Sequence, residues 1–264
     1  MLKGSTSMMR YAIVQRNDEH SKEVEKKLRN LLNESLFHED VKQPELVITI
    51  GGDGTFLYAL HQYLDDCDKI NFIGIHTGTL GFLTEYSSKE IEKFVSDLKN
   101  RKLTIISKRL LEFTVDGKEK HYALNEVRVE NVMKTQILDI YISNNFLETF
   151  RGTGICISSQ IGSTAYNRSL NGAVVDNDLE IIQLTEITGI HHRLFQSLQS
   201  PLVLAAEKEI SLKSDNFEGS MLCFDHLYLK ADHAKEIKCR LSEKKINIFR
   251  LKKYNYAKRL KNLF

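Results

Sequence analysis

The chain has 264 residues, of which 42% are apolar, so it is long enough for two medium-sized domains with real hydrophobic cores. Lysine and arginine total 37 against 35 acidic residues, a formal net charge of +2. This near balance gives no electrostatic argument for binding nucleic acid or a membrane surface. The composition excludes a disordered chain and favours small molecules as partners.

The four cysteines have neither close pairing nor C-x-x-C spacing, which favours buried free thiols in a reducing compartment. No run approaches the roughly 18 apolar residues of a membrane helix, and the N-terminus lacks the apolar core of a signal peptide. We therefore predict a cytoplasmic protein without membrane association. Residues 1–8 have no pattern of their own before a possible start at Met9, so they are predicted to lie outside the fold.

The first part of the chain alternates between strand-like and helical patterns. Strand-like apolar runs lie at residues 11–14, 46–50 and 72–75. Helical spacing of apolar residues follows each of them, at residues 24–32, 56–64 and about 89–98. This alternation predicts an α/β domain with a parallel sheet and ligands at the carboxyl ends of its strands.

A glycine-rich turn with the sequence Gly51-Gly52-Asp53-Gly54-Thr55 joins the second strand to its helix. Glycine lets the backbone approach a phosphate closely, and the N–H groups at a helix start favour an anion. Asp53 places an acid in a phosphate-binding turn, a kind of site that is usually completed by lysine. It suits a general base for a sugar hydroxyl or a ligand for the magnesium on a nucleotide. The alternative is an ordinary turn with a capping aspartate.

From residue 104 the pattern becomes mainly β. Alternating runs meet at Asp116-Gly117 and at Asn144-Asn145, two dipeptides typical of tight hairpins. Further strand-like runs lie at residues 155–158, 202–205, 210–212, 221–229, 237–241 and 246–249, and helical patterns at 163–170 and 179–188. We predict a second, β-rich domain at residues 104–250 and a solvated amphipathic helix at residues 251–264.

Two polar clusters in this second domain lie near predicted strand ends. The amide and carboxylate of Asn125-Glu126 can fix adenine or ribose hydroxyls, or they can cap a loop. The run Arg151-Gly152-Thr153-Gly154 can contact phosphate or form a bulged turn.

Two further clusters carry hydroxyl, phenol and imidazole groups. One opens a predicted helix, and its residues are Gly162, Ser163, Thr164, Ala165, Tyr166, Asn167, Arg168 and Ser169. Its hydroxyls and free N–H groups suit a nucleotide, whereas the alternative is a helix cap with the tyrosine in the core. The other is Asp225-His226, inside a strand-like run where a partly buried pair is the common outcome.

In this order and with these spacings, the motifs resemble the NAD kinase family, especially its shorter bacterial members. The glycine turn alone is shared with diacylglycerol and sphingosine kinases and is broadly similar to phosphofructokinases. The run from Gly162 to Tyr166, with Asn125-Glu126 upstream, restricts the resemblance to NAD kinases among these enzymes. The resemblance extends from Met9 to about Arg250. It implies an N-terminal parallel α/β domain of the diacylglycerol-kinase/phosphofructokinase-like type at residues 9–103 and a C-terminal β-rich NAD-binding domain.

The resemblance also implies an activity, the phosphorylation of NAD at the 2′-hydroxyl of its adenosine ribose, with ATP as donor and NADP as product. Asp53 would take the hydroxyl proton, and Gly51, Gly52, Gly54 and Thr55 would contact the nucleotide. Mg²⁺ would be carried by ATP near Asp53 rather than held by a cage of side chains.

Other roles follow from the same resemblance. Asn125 and Glu126 would hold the ribose and adenine of NAD, Phe82 would wall the adenine pocket, and His226 would lie near phosphate. The remaining implied nucleotide contacts are Arg151, Thr153, Ser163, Thr164, Ala165, Tyr166, Asn167, Ser169 and Thr188, with Tyr166 stacking on a base or ring. Family members are commonly homotetramers or homodimers that pair through their C-terminal domains, so an oligomer is expected.

Several positions depart from the family pattern. Thr153 stands where the family usually has aspartate, which removes a charge expected at the nicotinamide end. The segment Ser159-Gln160-Ile161 replaces a usual Thr-Pro-Thr/Ser, and Thr188 stands where alanine is common. These departures affect the nicotinamide contacts rather than the proposed base.

Two other functions remain open from the sequence. A lipid or sphingoid-base kinase would share the glycine turn but use a different acceptor. A nucleotide-binding sensor that has lost catalysis would account for the departures around Thr153 and Gln160.

Overall fold

The computed structural model describes residues 8–33, 37–191, 193, 196–252 and 255–261. The β-strands are β1 (Met9–Gln15), β2 (Phe37–Glu39), β3 (Leu46–Gly51), β4 (Asn71–His76), β5 (Thr84–Ser87), β6 (Leu103–Val115), β7 (Lys120–Ala123), β8 (Glu126–Glu130), β9 (Gln136–Ile142), β10 (Asn145–Ser159), β11 (Ile181–Gly189), β12 (Leu202–Ala205), β13 (Glu209–Lys213), β14 (Met221–Phe224), β15 (Leu227–Lys230) and β16 (Glu236–Leu251). The α-helices are α1 (Glu19–Asn33), α2 (Asp53–Gln62), α3 (Ile91–Lys99), α4 (Tyr166–Ser169) and α5 (Tyr256–Leu260).

These elements form two compact units. Unit 2 is Arg109–Lys244, and unit 1 contains the described residues before and after it. The predicted second domain extended to residue 250, whereas β16 carries the chain back into unit 1 at Lys245. The cause is strand pairing, since Asn247 and Ile248 pair in parallel with β4.

Unit 1 is built on a parallel sheet in the order β2-β1-β3-β4, with β5 and the end of β16 also paired to β4. Every residue of β3 is buried, which explains its almost continuously apolar sequence. Helices α1 and α3 contribute one apolar stripe each to a core with the sheet, including Leu28 and Phe94. The parallel α/β unit predicted from the alternating pattern is confirmed.

Unit 2 is an antiparallel assembly. Its strands follow the order β15-β14-β8-β10-β9-β13-β16, with β11 beside β10, β12 beside β11, and β6 between β16 and β7. The predicted β-rich character of this part of the chain is confirmed. Alternate residues of β8 and β10, such as Val127, Val129 and Ile157, face a hydrophobic core. Polar residues at the intervening positions form the opposite face.

The predicted helix at residues 179–188 is wrong, because this segment is strand β11. Ile181, Ile182, Leu184 and Ile187 are all buried, and β11 pairs with both β10 and β12. The spacing of the apolar residues in this segment fits a helix or a strand equally well, and only the pairing with neighbouring strands decides between them.

Two further predictions differ from the structure at the turns. The run at residues 151–154 is part of the continuous strand β10 and not a turn. Conversely, Asp225 and His226 form the turn between β14 and β15, rather than lying within one strand. Asp225 has φ of 49°, a left-handed conformation that aspartate tolerates better than most residues.

The C-terminal helix is shorter than predicted within the described residues. Helix α5 spans Tyr256–Leu260, whereas Leu251 is the last residue of β16. Positions 253–254 and 262–264 of the predicted helix lie outside the described residues, as do residues 1–7. Arg259 is only 4% exposed, whereas its neighbours Ala257 and Lys258 are exposed, so the helix is solvated on only part of its surface. Across the described residues, no helix combines the length and apolar character needed to cross a membrane.

Candidate active site

The glycine turn of unit 1 lies where β3 ends and α2 begins. Gly51 has φ of +154°, and a Cβ atom there would lie 2.2 Å from Oγ1 of Thr55, so a larger residue would displace the threonine. A Cβ at Gly52 or Gly54 would meet nothing within 4 Å. The turn is therefore closely packed at Gly51 and open at Gly52 and Gly54. On this open side the first N–H groups of α2 are available to an anion.

Asp53, the first residue of α2, is held by a second glycine-containing turn. Its Oδ2 accepts a hydrogen bond from the N–H of Phe82 at 2.8 Å, and its Oδ1 accepts one from the N–H of Leu83 at 2.9 Å. Gly81 allows this approach, since a Cβ there would lie 2.2 Å from Oδ1 of Asp53. Each carboxylate oxygen keeps a further lone pair for a ligand or a proton.

An open cavity of about 610 Å³ lies beside the glycine turn. Its lining residues come from the end of β1 and the start of α2, and they are Gln15, Arg16, Asn17, Gly52, Gly54, Thr55 and Tyr58. Arg16 is held by Asp18, whose Oδ2 accepts from its Nε at 2.6 Å. A cationic side chain and a helix N-terminus on one cavity suit an anionic ligand such as a phosphate chain.

In unit 2, Asp225 holds the backbone that precedes β8. Its Oδ2 accepts from the N–H of Leu124 at 2.9 Å and its Oδ1 from the N–H of Asn125 at 2.8 Å. The same two-amide arrangement therefore recurs at Asp53 and Asp225. At Asp225 it fixes the position from which the Asn125 side chain projects.

Glu126 is a buried carboxyl on the polar face of β8. It pairs in register with Ser158 of β10, and its Oε2 accepts no hydrogen bond from any residue that the structure describes. Burial and the neighbouring Asp225 raise the pKa of Glu126 to about 8, although Arg128 opposes them. A buried polar atom without a partner is costly, which makes Glu126 a candidate for ligand contact.

Arg128, two residues along the same face, lies over the ring of Tyr166. Its guanidinium carbon is 3.8 Å from the ring centroid, and its Nε is 3.9 Å from Oε1 of Glu126. Its Nη1 also donates to Glu130. The arginine thus joins the β8 carboxylates to the Tyr166 loop.

The loop that contains Tyr166 is held by its own buried side chains. Ser163 Oγ donates to the carbonyl of Gln160 at 2.7 Å and accepts from the N–H of Val175 at 3.1 Å. Asn167 Oδ1 accepts from Oγ1 of Thr185 at 2.7 Å. Ser163 and Asn167 are fully buried, whereas Thr164, Ala165 and Tyr166 are half-buried and Ser169 is exposed.

Thr153 and Thr188 lie on the paired strands β10 and β11. The pairs Gly152–Gly189 and Gly154–Ile187 flank them on either side. At both glycines of β10 a larger residue would clash with close neighbours. A Cβ at Gly154, for example, would lie 1.9 Å from the carbonyl oxygen of Val129. Thr188 is exposed with φ of 48°.

Comparison with known proteins identifies the chain's relatives. Residues 3–103 match the family model described as ATP-NAD kinase N-terminal domain, and residues 121–251 match the one described as ATP-NAD kinase C-terminal domain. The chain belongs to the ATP-NAD kinase family. A relative named NAD kinase from Geobacillus stearothermophilus is 37% identical over 268 residues, covering 100% of this chain and 99% of that protein.

Two solved structures are also similar to this chain. An NAD kinase from Archaeoglobus fulgidus in complex with ATP has 26% identity and a TM-score of 0.74, with 97% of each chain covered. Yeast NADH kinase complexed with NADH has 20% identity and a TM-score of 0.85, with 98% of this chain and 88% of that chain covered. The second comparison supports the fold alone.

The residues singled out from the ATP-NAD kinase resemblance are distributed over both units. Unit 1 brings together Asp53, its flanking glycines, Thr55 and Phe82. Unit 2 brings Asn125 and Glu126 to one end of β8, with the Tyr166 loop linked to that face by Arg128. His226 is an exposed turn residue, and the half-buried Arg151 lies on β10.

Three residues around these positions were not singled out from the sequence, and a fourth, Asp225, was named there only as the neighbour of His226. Asp225 and Arg128 organise the surroundings of Asn125 and Glu126, and Arg16 and Asn17 line the cavity beside the glycine turn. The sequence does contain a signal for Arg128, because the charged residues Glu126, Arg128 and Glu130 occupy alternate positions of one strand and therefore lie on the same face. No local pattern predicts the bond between Asp53 and the turn at Phe82.

Proposed function

We propose that this chain transfers the γ-phosphoryl group of ATP to the 2′-hydroxyl of the adenosine ribose of NAD, giving NADP and ADP. Membership of the ATP-NAD kinase family supports the reaction class, and it does not favour a lipid kinase or a sensor. The single observation that carries the mechanism is the carboxylate of Asp53, fixed by two backbone N–H groups at an open glycine turn.

Asp53 is the proposed general base. Phosphoryl transfer depends on alignment and charge stabilisation more than on covalent chemistry by the protein. A carboxylate held through both oxygens cannot rotate freely, so its remaining lone pairs point in fixed directions. The attacking hydroxyl can donate its proton to one of them.

The donor phosphates are proposed to bind at the glycine turn. The first N–H groups of α2, together with Arg16 and Thr55, offer donors and positive charge to a triphosphate. The carboxylate oxygens of Asp53 fit Mg²⁺, a hard cation that prefers oxygen ligands and is commonly held by one carboxylate together with phosphates. Bound there with ATP, Mg²⁺ would neutralise charge that develops on the phosphates.

NAD is proposed to contact the residues of unit 2 that surround Glu126. Asn125 and Glu126 supply an amide and an unpartnered carboxyl oxygen for the adenosine. Thr164, Ala165 and Tyr166 line the nucleotide, and Ser163 and Asn167 act by holding their loop in shape. Among the proposed NAD contacts in unit 2, the exposed residues are Ser169, Thr188 and His226.

Other parts of the proposal concern Phe82 and the nicotinamide end. Phe82 is half-buried and its ring packs against Tyr256 with centroids 6.1 Å apart, which restrains it as a proposed wall for adenine. Arg151 and Thr153 are proposed to serve the nicotinamide end of a neighbouring subunit's ligand. We further propose a homotetramer or homodimer paired through the β-rich domain, and a cytoplasmic location.

The test is to incubate the purified protein with ATP, Mg²⁺ and NAD and to measure NADP with a strictly NADP-dependent dehydrogenase. NADP should form, and omission of Mg²⁺ or ATP should abolish it. Asp53→Asn should bind NAD and remain folded while losing turnover. If the wild-type protein binds NAD but forms no NADP, the proposed reaction is wrong; if Asp53→Asn retains near-normal turnover, only the base assignment is wrong.

A further inference from the structure

Two buried arginines from the end of the chain contact the turn that holds Asp53. Arg250 lies on β16 and Arg259 on α5, and they are 3% and 4% exposed. Both bind the carboxylate of Glu85, with Arg250 Nη1 at 3.1 Å and Arg259 Nη2 at 2.8 Å from Oε2. Neither residue is among the positions that the sequence motifs single out.

The two arginines donate to the backbone carbonyls of residues 81–84. Arg250 Nη2 donates to the carbonyl of Phe82 at 2.7 Å, and its Nη1 lies 3.3 Å from the carbonyls of Leu83 and Thr84. Arg259 Nη1 donates to the carbonyls of Gly81 and Thr84. All four carbonyls of the segment therefore accept from a guanidinium.

Two of these peptide units connect an arginine directly to Asp53. The peptide between Gly81 and Phe82 accepts Arg259 at its carbonyl and donates its N–H to Oδ2 of Asp53. The next peptide, between Phe82 and Leu83, accepts Arg250 at its carbonyl and donates its N–H to Oδ1 of Asp53. Each oxygen of Asp53 is thus linked to a buried guanidinium through a single peptide plane.

This arrangement has a physical consequence for the carboxylate. A cation at a peptide carbonyl polarises that peptide and strengthens its N–H as a donor, because successive hydrogen bonds reinforce one another. Two planar guanidinium groups also fix the orientation of both peptides, since each binds several acceptors in one plane. The two bonds to Asp53 are therefore both stronger and better directed than bonds from an unsupported loop.

Helix α5 adds an aromatic contact to the same turn. The ring of Tyr256 packs edge-on against Phe82, with an interplanar angle of 68°. Asn255 caps the helix, its side chain accepting from the N–H of Lys258 at 2.9 Å. Helix α5 therefore contacts the turn at both Tyr256 and Arg259.

We propose that Arg259 and Arg250 are positioning residues for phosphoryl transfer, which orient Asp53 through the two peptide units that bind its carboxylate. The proposal rests on the assignment of Asp53 as the base. It predicts that loss of either guanidinium lowers the rate of the chemical step and leaves substrate binding in place. Arg259 is the better target, because it lies on a short terminal helix rather than within a central strand.

The experiment compares Arg259→Gln and Arg259→Lys with the control Arg109→Gln. Arg109 also donates to two backbone carbonyls, those of Ser242 and Leu241, but it lies in unit 2. We expect Arg259→Gln to lower kcat by about 10- to 100-fold with the KM values for ATP and NAD changed less than about threefold. Lysine keeps the charge but not the planar fork, so Arg259→Lys should recover part of kcat.

A double variant distinguishes positioning from general stability. If Arg259 acts through Asp53, then Asp53→Asn/Arg259→Gln has the same residual rate of radiolabelled phosphoryl transfer as Asp53→Asn alone. The unfolding midpoints of the single and double variants should likewise be non-additive, which gives a readout independent of activity. Additive losses in both measurements overturn the proposal, and so does a kcat for Arg259→Gln equal to that of Arg109→Gln.

These outcomes also separate this proposal from the one on which it rests. Near-normal turnover by Asp53→Asn overturns the base assignment and the positioning role together. Loss of turnover in Asp53→Asn with an unaffected Arg259→Gln overturns only the positioning role.

Discussion

The guanidinium of Arg128 covers one face of the Tyr166 ring, at 3.8 Å from its centroid. Tyr166 is half-buried, and the stack fixes the ring against β8. Only the opposite face of the ring can then stack on a nucleotide base. Arg128 therefore holds the ring in place and leaves one aromatic face for the proposed nucleotide.

Replacing Tyr166 tests whether that ring face binds a nucleotide. Base stacking on an aromatic residue contributes about 1–3 kcal/mol, so we expect Tyr166→Leu to raise KM for NAD by about tenfold or more. Tyr166→Phe keeps both faces and should remain within about threefold of wild type. The control is Tyr141→Leu, because the Tyr141 ring also lies beside a cation, Lys213, at 4.7 Å. Equal KM values for all three variants would contradict stacking.

A methyl group at Gly81 tests the contact between the two turns of unit 1. Its Cβ would lie 2.2 Å from Oδ1 of Asp53, so the carboxylate or the turn must move in Gly81→Ala. A displacement of about 1 Å at a reacting group costs roughly 100-fold in rate, and we expect a loss of kcat of that order. Steady-state kinetics with NAD and ATP measure it.

Gly78→Ala is the matched control for Gly81→Ala. It lies in the same turn, and a Cβ at Gly78 would meet nothing within 4 Å. Its kcat should remain close to that of wild type. If both variants lose activity equally, the loss reflects the turn as a whole and not the approach of Gly81 to Asp53.

Local sequence signals predicted unit 1 well, and they also located the glycine turn. The fully buried β3 and the glycines after it are adjacent in the chain, so apolar pattern and turn chemistry coincide there. The partners of Asp53 could not be found in this way. Phe82 lies 29 positions from Asp53, and the bond uses a backbone N–H that every non-proline residue possesses.

Unit 2 was harder to predict for a different reason. Segment 181–189 has its apolar residues at positions 181, 182, 184 and 187, a spacing without the strict alternation that marks a strand and one that fits a helix as well. The glycines at 152 and 154 suggested a turn, although they are needed for close approach between paired strands. Asp225 breaks a strand-like run without glycine or proline, so its turn left no compositional signal.

The Asp225 clamp provides a third prediction. Asp225→Asn keeps the left-handed backbone and one acceptor oxygen, but it loses the second acceptor and the charge. The N–H of either Leu124 or Asn125 then lacks its partner, so Asn125 is positioned less well. We expect KM for NAD to rise about tenfold and stability to fall by about 1–2 kcal/mol.

The side chain next to Asp225 offers the matched control. His226→Asn removes the imidazole but retains a residue suited to a turn, and His226 is exposed. Its unfolding midpoint should stay close to that of wild type, even if its KM changes. An unfolding midpoint for Asp225→Asn that is also unchanged would show that the two N–H bonds contribute nothing to folding.

Glu126 gives a prediction about pH. In the folded protein burial and Asp225 raise its pKa to about 8, whereas the ordinary value in an unfolded chain is 4.5. Between these values the folded state binds a proton that the unfolded state has released. Stability therefore falls as pH rises from about 4.5 to about 8, by up to about 1.4 kcal/mol per pH unit, and the contribution is constant above this range.

Glu126→Gln removes this titration while keeping the shape of the side chain. Denaturant unfolding at several pH values should show a gain in stability at pH 8 relative to wild type, and little difference near pH 5. Ser158→Ala is the control, because Ser158 faces Glu126 across the strands and does not titrate. It should keep the wild-type slope with pH. If Glu126→Gln also keeps that slope, the carboxyl is ionised in the folded protein, and a bound partner in place of a proton must be sought for its Oε2.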